Sequence, residues 1–110
     1  MKYILLVLSL LTFIACEKPD QKTEFWVRGN CSMCEKTIES AITSIDGVTS
    51  AEWDRDTKMV KVEFVSSKTN ESEIKKAAPA AGHETKEIEA NSEAYKNLPM
   101  CCKKREDTDL

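Results

Sequence analysis

The sequence is poor in the residues that typify fibrous, nucleic-acid-binding and catalytic chains. Glycine and proline each occur only three times in 110 residues, which excludes a collagen-like or low-complexity protein. Lysine and arginine number 16 against 19 aspartate and glutamate residues, so the basic surface typical of a general nucleic-acid-binding protein is missing. A single histidine leaves no evident nucleophile–base pair. We therefore expect one small domain that is neither an enzyme nor a nucleic-acid-binding protein.

Long apolar runs are also missing, and the longest one lies at the N-terminus. Residues 4–11 are apolar except for Ser9, and this run is too short to span a hydrocarbon layer of about 30 Å comfortably. Lys2 before the run and the small Ala15 after it form the pattern of a secretory signal peptide. Cys16, directly after Ala15, is similar to the residue that is lipidated in bacterial lipoproteins.

We therefore predict that residues 1–15 are a lipoprotein-type signal peptide, that Cys16 is lipidated and that residues 16–22 are a polar tether. The protein would then be secreted to the bacterial cell envelope and anchored by lipid to a membrane, with its domain in the periplasm or at the surface. The alternative is an ordinary cleaved signal that leaves Cys16 as a free thiol.

The order of apolar and polar residues after the tether predicts alternating strands and helices. Strands are expected at residues 23–28, 48–54, 59–65 and 83–88. One helix should begin with a capping box at Ser32 and end near Gly47, because apolar residues recur on one face between them. A second should run from an Asn70 cap to Gly82, kinked or shortened by Pro79.

The resulting order, β-α-β-β-α-β, is that of an α+β ferredoxin-like sandwich. This fold has a four-stranded antiparallel sheet with both helices on one face. We expect it to occupy residues 23–90, with a C-terminal tail at residues 91–110. A core of this size in so short a chain favours only marginal stability without a bound metal.

Cysteine is the residue type that is unusually frequent for this length, with five in the chain. Apart from Cys16, the cysteines form two close pairs, Cys31/Cys34 and Cys101/Cys102. Cys31 lies on a predicted loop and Cys34 at the start of a predicted helix, whose N-terminus favours thiolate. Thiolates are soft ligands that select Cu(I) and other thiophilic ions. The first pair is therefore the main candidate metal site.

Four stretches together resemble the heavy-metal-associated domain family: residues 29–39 (GNCSMCEKTIE), 46–48 (DGV), 58–64 (KMVKVEF) and 80–84 (AAGHE). The resemblance covers roughly residues 23–88. The family includes copper chaperones, the metal-binding modules of copper-transporting ATPases and periplasmic mercury-binding proteins. It implies that Cys31 and Cys34 are metal ligands. In the family's usual Gly-Met-x-Cys-x-x-Cys motif the first cysteine comes one residue later than it does here.

Two residues near this motif are further candidate ligands. His83 lies in the last helix–strand loop, which a ferredoxin-like fold places at the same end of the sheet as Cys31 and Cys34. It could therefore approach the metal, and the alternative is a surface histidine. Met33, between the two cysteines, is more typical of a packed or half-exposed apolar residue than of a thioether ligand.

The second cysteine pair lies outside the predicted domain. Adjacent cysteines rarely bridge to each other, because their Cα atoms are only about 3.8 Å apart. If the fourth strand ends at the pole opposite the metal loop, residues 89–100 must run back along the domain, docked by Tyr95, Leu98 and Pro99. Cys101 and Cys102 would then add a third and a fourth ligand. The alternative is a disordered tail with solvent-exposed thiols.

These observations predict a metal-binding protein with Cu(I) as its preferred ion and Hg(II) or Zn(II) as alternatives. It would act as an envelope chaperone or scavenger, with a metal-transporting membrane protein as its partner. Two other functions stay open. One is a thiol–disulfide redox protein that uses the same cysteines. The other is an interaction module in which Cys31 and Cys34 form a structural disulfide.

Overall fold

The computed structural model describes residues 18–103 of the chain. The predicted signal peptide at residues 1–15, the predicted lipidation site Cys16 and residues 104–110 of the tail lie outside the described residues. Within residues 18–103, every helix is too short or too polar to cross a membrane.

The sheet is antiparallel. Its strands are β1 (Gln21–Trp26), β2 (Val48–Trp53) and β3 (Met59–Phe64). The order is β1-β3-β2, with Phe25 opposite Val60 and Ala51 opposite Val62. Val60, Val62 and Phe64 are buried, which confirms the predicted alternation of β3 and provides one apolar face for the helices.

Two helices complete the core: α1 (Ser32–Thr43) and α2 (Glu71–Ala80). Ile38 and Ile42 of α1 and Ile74 of α2 are fully buried in one cluster with the apolar residues of the sheet. The start of α2 is as predicted, because the Asn70 side chain accepts a hydrogen bond of 2.9 Å from the backbone N–H of Glu73.

The start of α1 differs from the prediction. Its N-cap residue is Cys31 and not Ser32, and the cap makes no side-chain hydrogen bond. The Cys31 carbonyl already accepts the first helical bond, from the N–H of Glu35 at 3.1 Å. The predicted capping box is therefore wrong. The thiol of the first cysteine lies at the entrance to the helix.

The predicted fourth strand at residues 83–88 does not form. In the described part of the chain a single bridge, between Val27 and Thr85, joins this segment to the sheet. Thr85 closes a turn instead: its N–H donates to the Ile88 carbonyl, and its hydroxyl accepts from the Ile88 N–H, both at 3.0 Å. These local bonds occupy the backbone N–H of Thr85 and the backbone N–H and carbonyl of Ile88, which then cannot pair with a neighbouring strand. The ferredoxin-like sandwich therefore has three strands, and the prediction of four was wrong.

Because the chain reverses at this turn, the tail stays near the loop that precedes α1. The Asn91 N–H donates to the Pro79 carbonyl at 2.8 Å, and helix α3 (Ser92–Lys96) follows. Gly82, at φ +100°, allows α3 to approach closely, since a Cβ there would lie 3.0 Å from the Ala94 carbonyl carbon. The tail therefore begins beside the C-terminal end of α2 and runs from there to the cysteine loop.

Candidate metal centre

The first thiol pair lies at the N-terminus of α1. Cys31 is the extended N-cap residue and is half-buried, whereas Cys34 lies in the first turn and is fully buried in the core. Their Sγ atoms are 3.3 Å apart. The motif therefore places an accessible sulfur and an inaccessible sulfur side by side.

Close packing beneath the cysteine loop holds Cys34 in position. A Cβ at Gly29 would lie 2.8 Å from Cζ2 of Trp53 and 3.1 Å from Cβ of Cys34. Trp53 is itself fixed, because its indole N–H donates to the Val27 carbonyl at 3.0 Å and its backbone N–H donates to the Glu39 carboxylate at 2.9 Å. Only a residue without a side chain fits between this ring and the helix start.

The tail brings the second thiol pair to the first. The chain continues from α3 into a short 3₁₀ turn, Met100–Cys102. The four ligand sulfurs, those of Cys31, Cys34, Cys101 and Cys102, all lie within 4.8 Å of one another. The Sγ atoms of Cys31 and Cys102 are 3.8 Å apart, and those of Cys101 and Cys102 are 4.0 Å apart. Thiols from the two ends of the domain thus form one cluster.

One disulfide joins the two pairs. It links Cys34 to Cys102, across 68 positions in the sequence. Cys31 and Cys101 remain free thiols. The alternative of a structural disulfide between Cys31 and Cys34 is therefore wrong for this structure, since the core cysteine of the motif pairs with the tail.

Arg28 is the main polar contact between the domain and the tail, and the sequence analysis did not identify it. Its Nη2 donates to the Cys102 carbonyl at 3.1 Å, and its guanidinium lies 5.5 Å from the centre of the Tyr95 ring. Its Nε is 3.3 Å from the Glu84 carboxylate. An arginine directly before the glycine of the motif was the one local signal, and it does not indicate which residues the side chain contacts.

Two further contacts dock the tail. Asn30 Nδ2 donates to the Lys103 carbonyl at 3.2 Å. Leu98 packs against the core cluster and is partly buried, and Tyr95 and Pro99 are half-buried. The predicted docking of the tail through these apolar residues is confirmed.

His83 is fully buried and lies beside Arg28. Its Nδ1 lies 2.8 Å from the Arg28 carbonyl, whereas the buried Nε2 has no hydrogen-bond partner among residues 18–103. Burial lowers the pKa of His83 and outweighs the opposing effect of the bond to Arg28. His83 is not one of the four residues whose donor atoms lie mutually close, so its role as a ligand stays a prediction.

The two free thiols differ in acidity. Burial tends to raise the pKa of Cys31, but hydrogen bonds from the Cys101 side chain and from the backbone N–H groups of Cys34 and Met33 outweigh it, so the pKa lies below its ordinary value. The bond to Cys31 raises the pKa of Cys101. Cys31 is therefore the more acidic of the two thiols, and the amides at the helix N-terminus favour its ionised form.

Two large apolar side chains are exposed in the described part of the chain, and both adjoin the cluster in sequence. Met33 is 52 % exposed and Met100 is 61 % exposed. The sequence predicts a packed or half-exposed position for Met33, and the observed exposure agrees with the second of these. Sulfur-containing side chains thus flank the thiols on both segments.

Comparison with known proteins places the cysteine loop in a family and leaves the tail outside it. The sequence model of a family described as heavy-metal-associated domain matches residues 24–84, more than half of the 110-residue chain. The matched stretch contains Cys31, Cys34 and His83. Cys101 and Cys102 lie beyond its end.

Individual proteins show the same likeness. A copper chaperone CopZ of Staphylococcus aureus is 38% identical over 55 residues, which are 50% of this chain and 81% of that protein. A solved CopZ metallochaperone superposes with a TM-score of 0.57 at 33% identity, covering 59% of this chain and 98% of that one. The N-terminal domain of a potential copper-translocating P-type ATPase from Bacillus subtilis, solved in its Cu(I)-loaded state, gives a TM-score of 0.54 at 29% identity, covering 58% of this chain and 81% of that one.

Proposed function

Because the chain belongs to the heavy-metal-associated domain family, we propose that it binds Cu(I) through its clustered thiols and serves as a copper chaperone or scavenger of the cell envelope. The observation that carries this proposal is the group of four cysteine sulfurs within 4.8 Å of one another. The ligands would be Cys31 and Cys34, joined by Cys101 and Cys102 once all four are reduced.

The chemistry of the donor set supports a soft ion. Thiolates favour Cu(I), whereas Ca(II) and Mg(II) require oxygen ligands. The copper chaperones that resemble this chain at 33% to 38% identity support the same ion. Four thiolates at one site would also suit Zn(II), and two would suit Hg(II), so both ions belong in the first binding experiment as competitors.

The number of thiols decides between transfer and retention. With two ligands, half-buried Cys31 would make the first contact with an incoming ion and Cys34 would complete the site, and a partner's thiols could then replace them one at a time. With four ligands, a partner would have to displace two more thiolates before the ion could leave. We therefore propose that the intact tail favours scavenging and that withdrawal of the tail favours transfer.

The sequence pattern supports the proposed location, and the relatives support the proposed partner. The predicted lipoprotein-type signal and lipidated Cys16 would hold the domain at a membrane of the envelope. A metal-transporting membrane protein is the proposed partner, and the similar domain of a potential copper-translocating ATPase supports this choice. We propose no catalytic role.

An anaerobic titration of the reduced full-length chain with Cu(I), against a coloured Cu(I) chelator, tests the proposal. The wild-type chain should bind one Cu(I) in competition with the chelator. The Cys31→Ser/Cys34→Ser variant should lose this binding. Cys16→Ser is the matched control, because the proposed site does not include this cysteine, and it should leave the affinity unchanged.

The tail variant Cys101→Ser/Cys102→Ser separates the two modes. Weaker binding by about tenfold or more would support a site of three or four thiolates, in line with the usual cost of losing a group at a metal site. Unchanged affinity would limit the site to Cys31 and Cys34 and make the protein a two-thiolate carrier. Failure of every form to compete for Cu(I) would overturn the copper proposal.

A thiol–disulfide redox protein is the second candidate function, and the Cys34–Cys102 disulfide is the observation that favours it. This function requires a reversible reduction potential together with exchange of disulfides with another protein. Little affinity for Cu(I), Zn(II) and Hg(II), measured alongside a well-defined potential, would favour it over metal binding.

A further inference from the structure

The Cys34–Cys102 disulfide is shielded from solvent. Both residues are 0 % exposed. Cys31 is half-buried and Cys101 is exposed, and these two are the free thiols of the cluster. Thiol–disulfide exchange requires direct attack of a thiolate on one of the bonded sulfurs, so its rate depends on access to them. An external thiol therefore meets Cys31 or Cys101 before it can meet the bond that it must break.

Cys31 contacts both sulfurs of the buried bond. Its Sγ lies 3.3 Å from that of Cys34 and 3.8 Å from that of Cys102. Because it is close to both, it lies beside the bond and not on its axis, and a rotation about the Cys31 Cα–Cβ bond must precede attack. Cys101 is less suited to attack its neighbour, since adjacent cysteines rarely form a disulfide.

We propose that Cys31 is an internal resolving thiol that moves the disulfide from the buried Cys34–Cys102 position to the surface, where an external dithiol can reduce it. In the first step the Cys31 thiolate attacks Cys34 Sγ. The Cys31–Cys34 bond forms and the Cys34–Cys102 bond breaks. The electron pair leaves on the Cys102 sulfur, which takes up the proton that Cys31 released. The protein as a whole is neither oxidised nor reduced.

In the second step the external dithiol attacks Cys31 Sγ. The Cys31–Cys34 bond breaks, and the Cys34 sulfur leaves with the electron pair and takes up a proton. The second thiol of the reductant then displaces Cys31 and closes the reductant's own disulfide. One dithiol loses two electrons and two protons, and the protein gains them as two thiols.

This exchange links the redox state to metal loading, a consequence that rests on the proposed function. The disulfide uses the sulfurs of Cys34 and Cys102, so only two of the four thiols can act as ligands in the oxidised chain. Reduction through Cys31 restores all four. The exchange itself needs no metal, and it can be measured whether or not the protein binds copper.

The test is the rate at which dithiothreitol reduces the oxidised full-length chain in mild detergent without metal. All forms carry Cys16→Ser, so that the cluster holds the only cysteines. Aliquots are quenched with acid and alkylated, and mass spectrometry counts the free thiols. We expect reduction of the Cys31→Ser form to be slower by at least about tenfold. Without Cys31, the buried disulfide cannot be moved to a sulfur that dithiothreitol can reach. Ser40→Ala, on the exposed face of α1 and outside the cluster, is the control and should stay within about twofold of the parent chain. Cys101→Ser tests whether the exposed thiol is the route instead.

Equal rates for the Cys31→Ser form and the parent chain would overturn the proposal, and so would a loss of rate confined to Cys101→Ser. Repeating the reaction in denaturant should equalise all rates, because every sulfur is then accessible. Peptide mapping supplies a second measurement that does not depend on the folding of a variant. Mapping of the parent chain, quenched early in the reaction, should find part of the disulfide on Cys31. A bond that passes from Cys34–Cys102 to free thiols with no Cys31 disulfide at any time would also overturn the proposal.

Discussion

The two halves of the thiol cluster are held in different ways. The half on α1 is held by packing: Cys34 is part of the core, and Gly29 lets the loop close against Trp53. The half on the tail is held by the Cys34–Cys102 disulfide, by burial of Cys102 and Leu98 against the core cluster, and by the hydrogen bond from Arg28 to the Cys102 carbonyl. Cys34 lies within a helix of the core, whereas Cys102 lies on a short segment that reduction of the disulfide leaves with few contacts, and segments with few contacts open locally at lower cost. In the reduced chain the tail thiols are therefore the more separable part of the site.

The largest expected effect concerns the packed half. Gly29→Ala would place a Cβ 2.8 Å from the Trp53 ring, and the hydrogen bonds of Trp53 prevent the ring from moving freely. Overpacking of this kind costs about 1–3 kcal/mol, so the free energy of unfolding should fall by about this amount in a denaturant titration. Ser40→Ala on the exposed face of α1 is the control and should change it by less than about 0.5 kcal/mol. An unchanged midpoint for Gly29→Ala would mean that the loop is not packed as described.

The next effect concerns the half of the cluster on the tail. Arg28→Ala removes the bond to the Cys102 carbonyl, the ion pair with Glu84 and the contact with Tyr95. The tail should separate from the loop, and the Cu(I) affinity of the reduced chain should fall by about tenfold, which corresponds to about 1.4 kcal/mol. The Cu(I) affinity of Arg28→Ala should then equal that of Cys101→Ser/Cys102→Ser, and chelator competition measures the affinity of each variant.

Arg28→Lys keeps the charge but not the planar donor, so it should recover only part of the lost affinity. Lys86→Ala is the matched control, because Lys86 also lies over an aromatic ring, that of Trp26, but makes no contact with the tail in the described structure. If the tail variant binds Cu(I) weakly while Arg28→Ala binds it normally, the tail must be held by other contacts.

The smallest effect is a dependence of the free energy of unfolding on pH, caused by His83 beside Arg28. Burial lowers the pKa of His83 from its ordinary 6.5. The unfolded chain therefore binds a proton more readily than the folded chain does. The stabilisation is complete above pH 6.5 and is lost as the pH falls from there towards the lower folded pKa. Urea titrations at about pH 7.5 and pH 5.5 should show a loss of at most about 1.4 kcal/mol from this residue.

His83→Gln should remove this part of the pH dependence, although its stability at neutral pH will differ from that of the wild type. A variant with the same pH dependence as the wild type would show that His83 is not the group responsible. The same variant tests the predicted ligand role. An affinity for Cu(I) within about twofold of the wild type would leave the four thiols as the whole ligand set, whereas a drop of about tenfold would add His83 to it.

Local patterns predicted most of the secondary structure. The alternation of apolar residues in β3, the helical spacing of the isoleucines and the Asn70 cap each depend on neighbours within a few positions, and the structure confirms all three. The fourth strand failed because its polar segment closes a turn through Thr85. Strand pairing depends on competition between partners distant in sequence, which a local pattern does not contain.

The site was only partly predictable for the same reason. The Cys31/Cys34 motif and the docking of Leu98 were visible as local signals. The role of Arg28 was not, because its partners at Glu84, Tyr95 and Cys102 are more than fifty positions away. An arginine in a strand gives no indication of its partners until the chain is folded.

The amino-acid sequence by itself determined that two close pairs of thiols exist, that the first pair opens a helix, and that apolar residues precede the second pair. These features follow from spacing, capping and composition, which act locally. The tertiary structure alone decided that the four sulfurs meet, that Cys34 and not Cys31 bonds to the tail, and that Cys31 remains beside that bond. Burial and long-range contacts determine which sulfurs are neighbours, and both exist only once the core has formed.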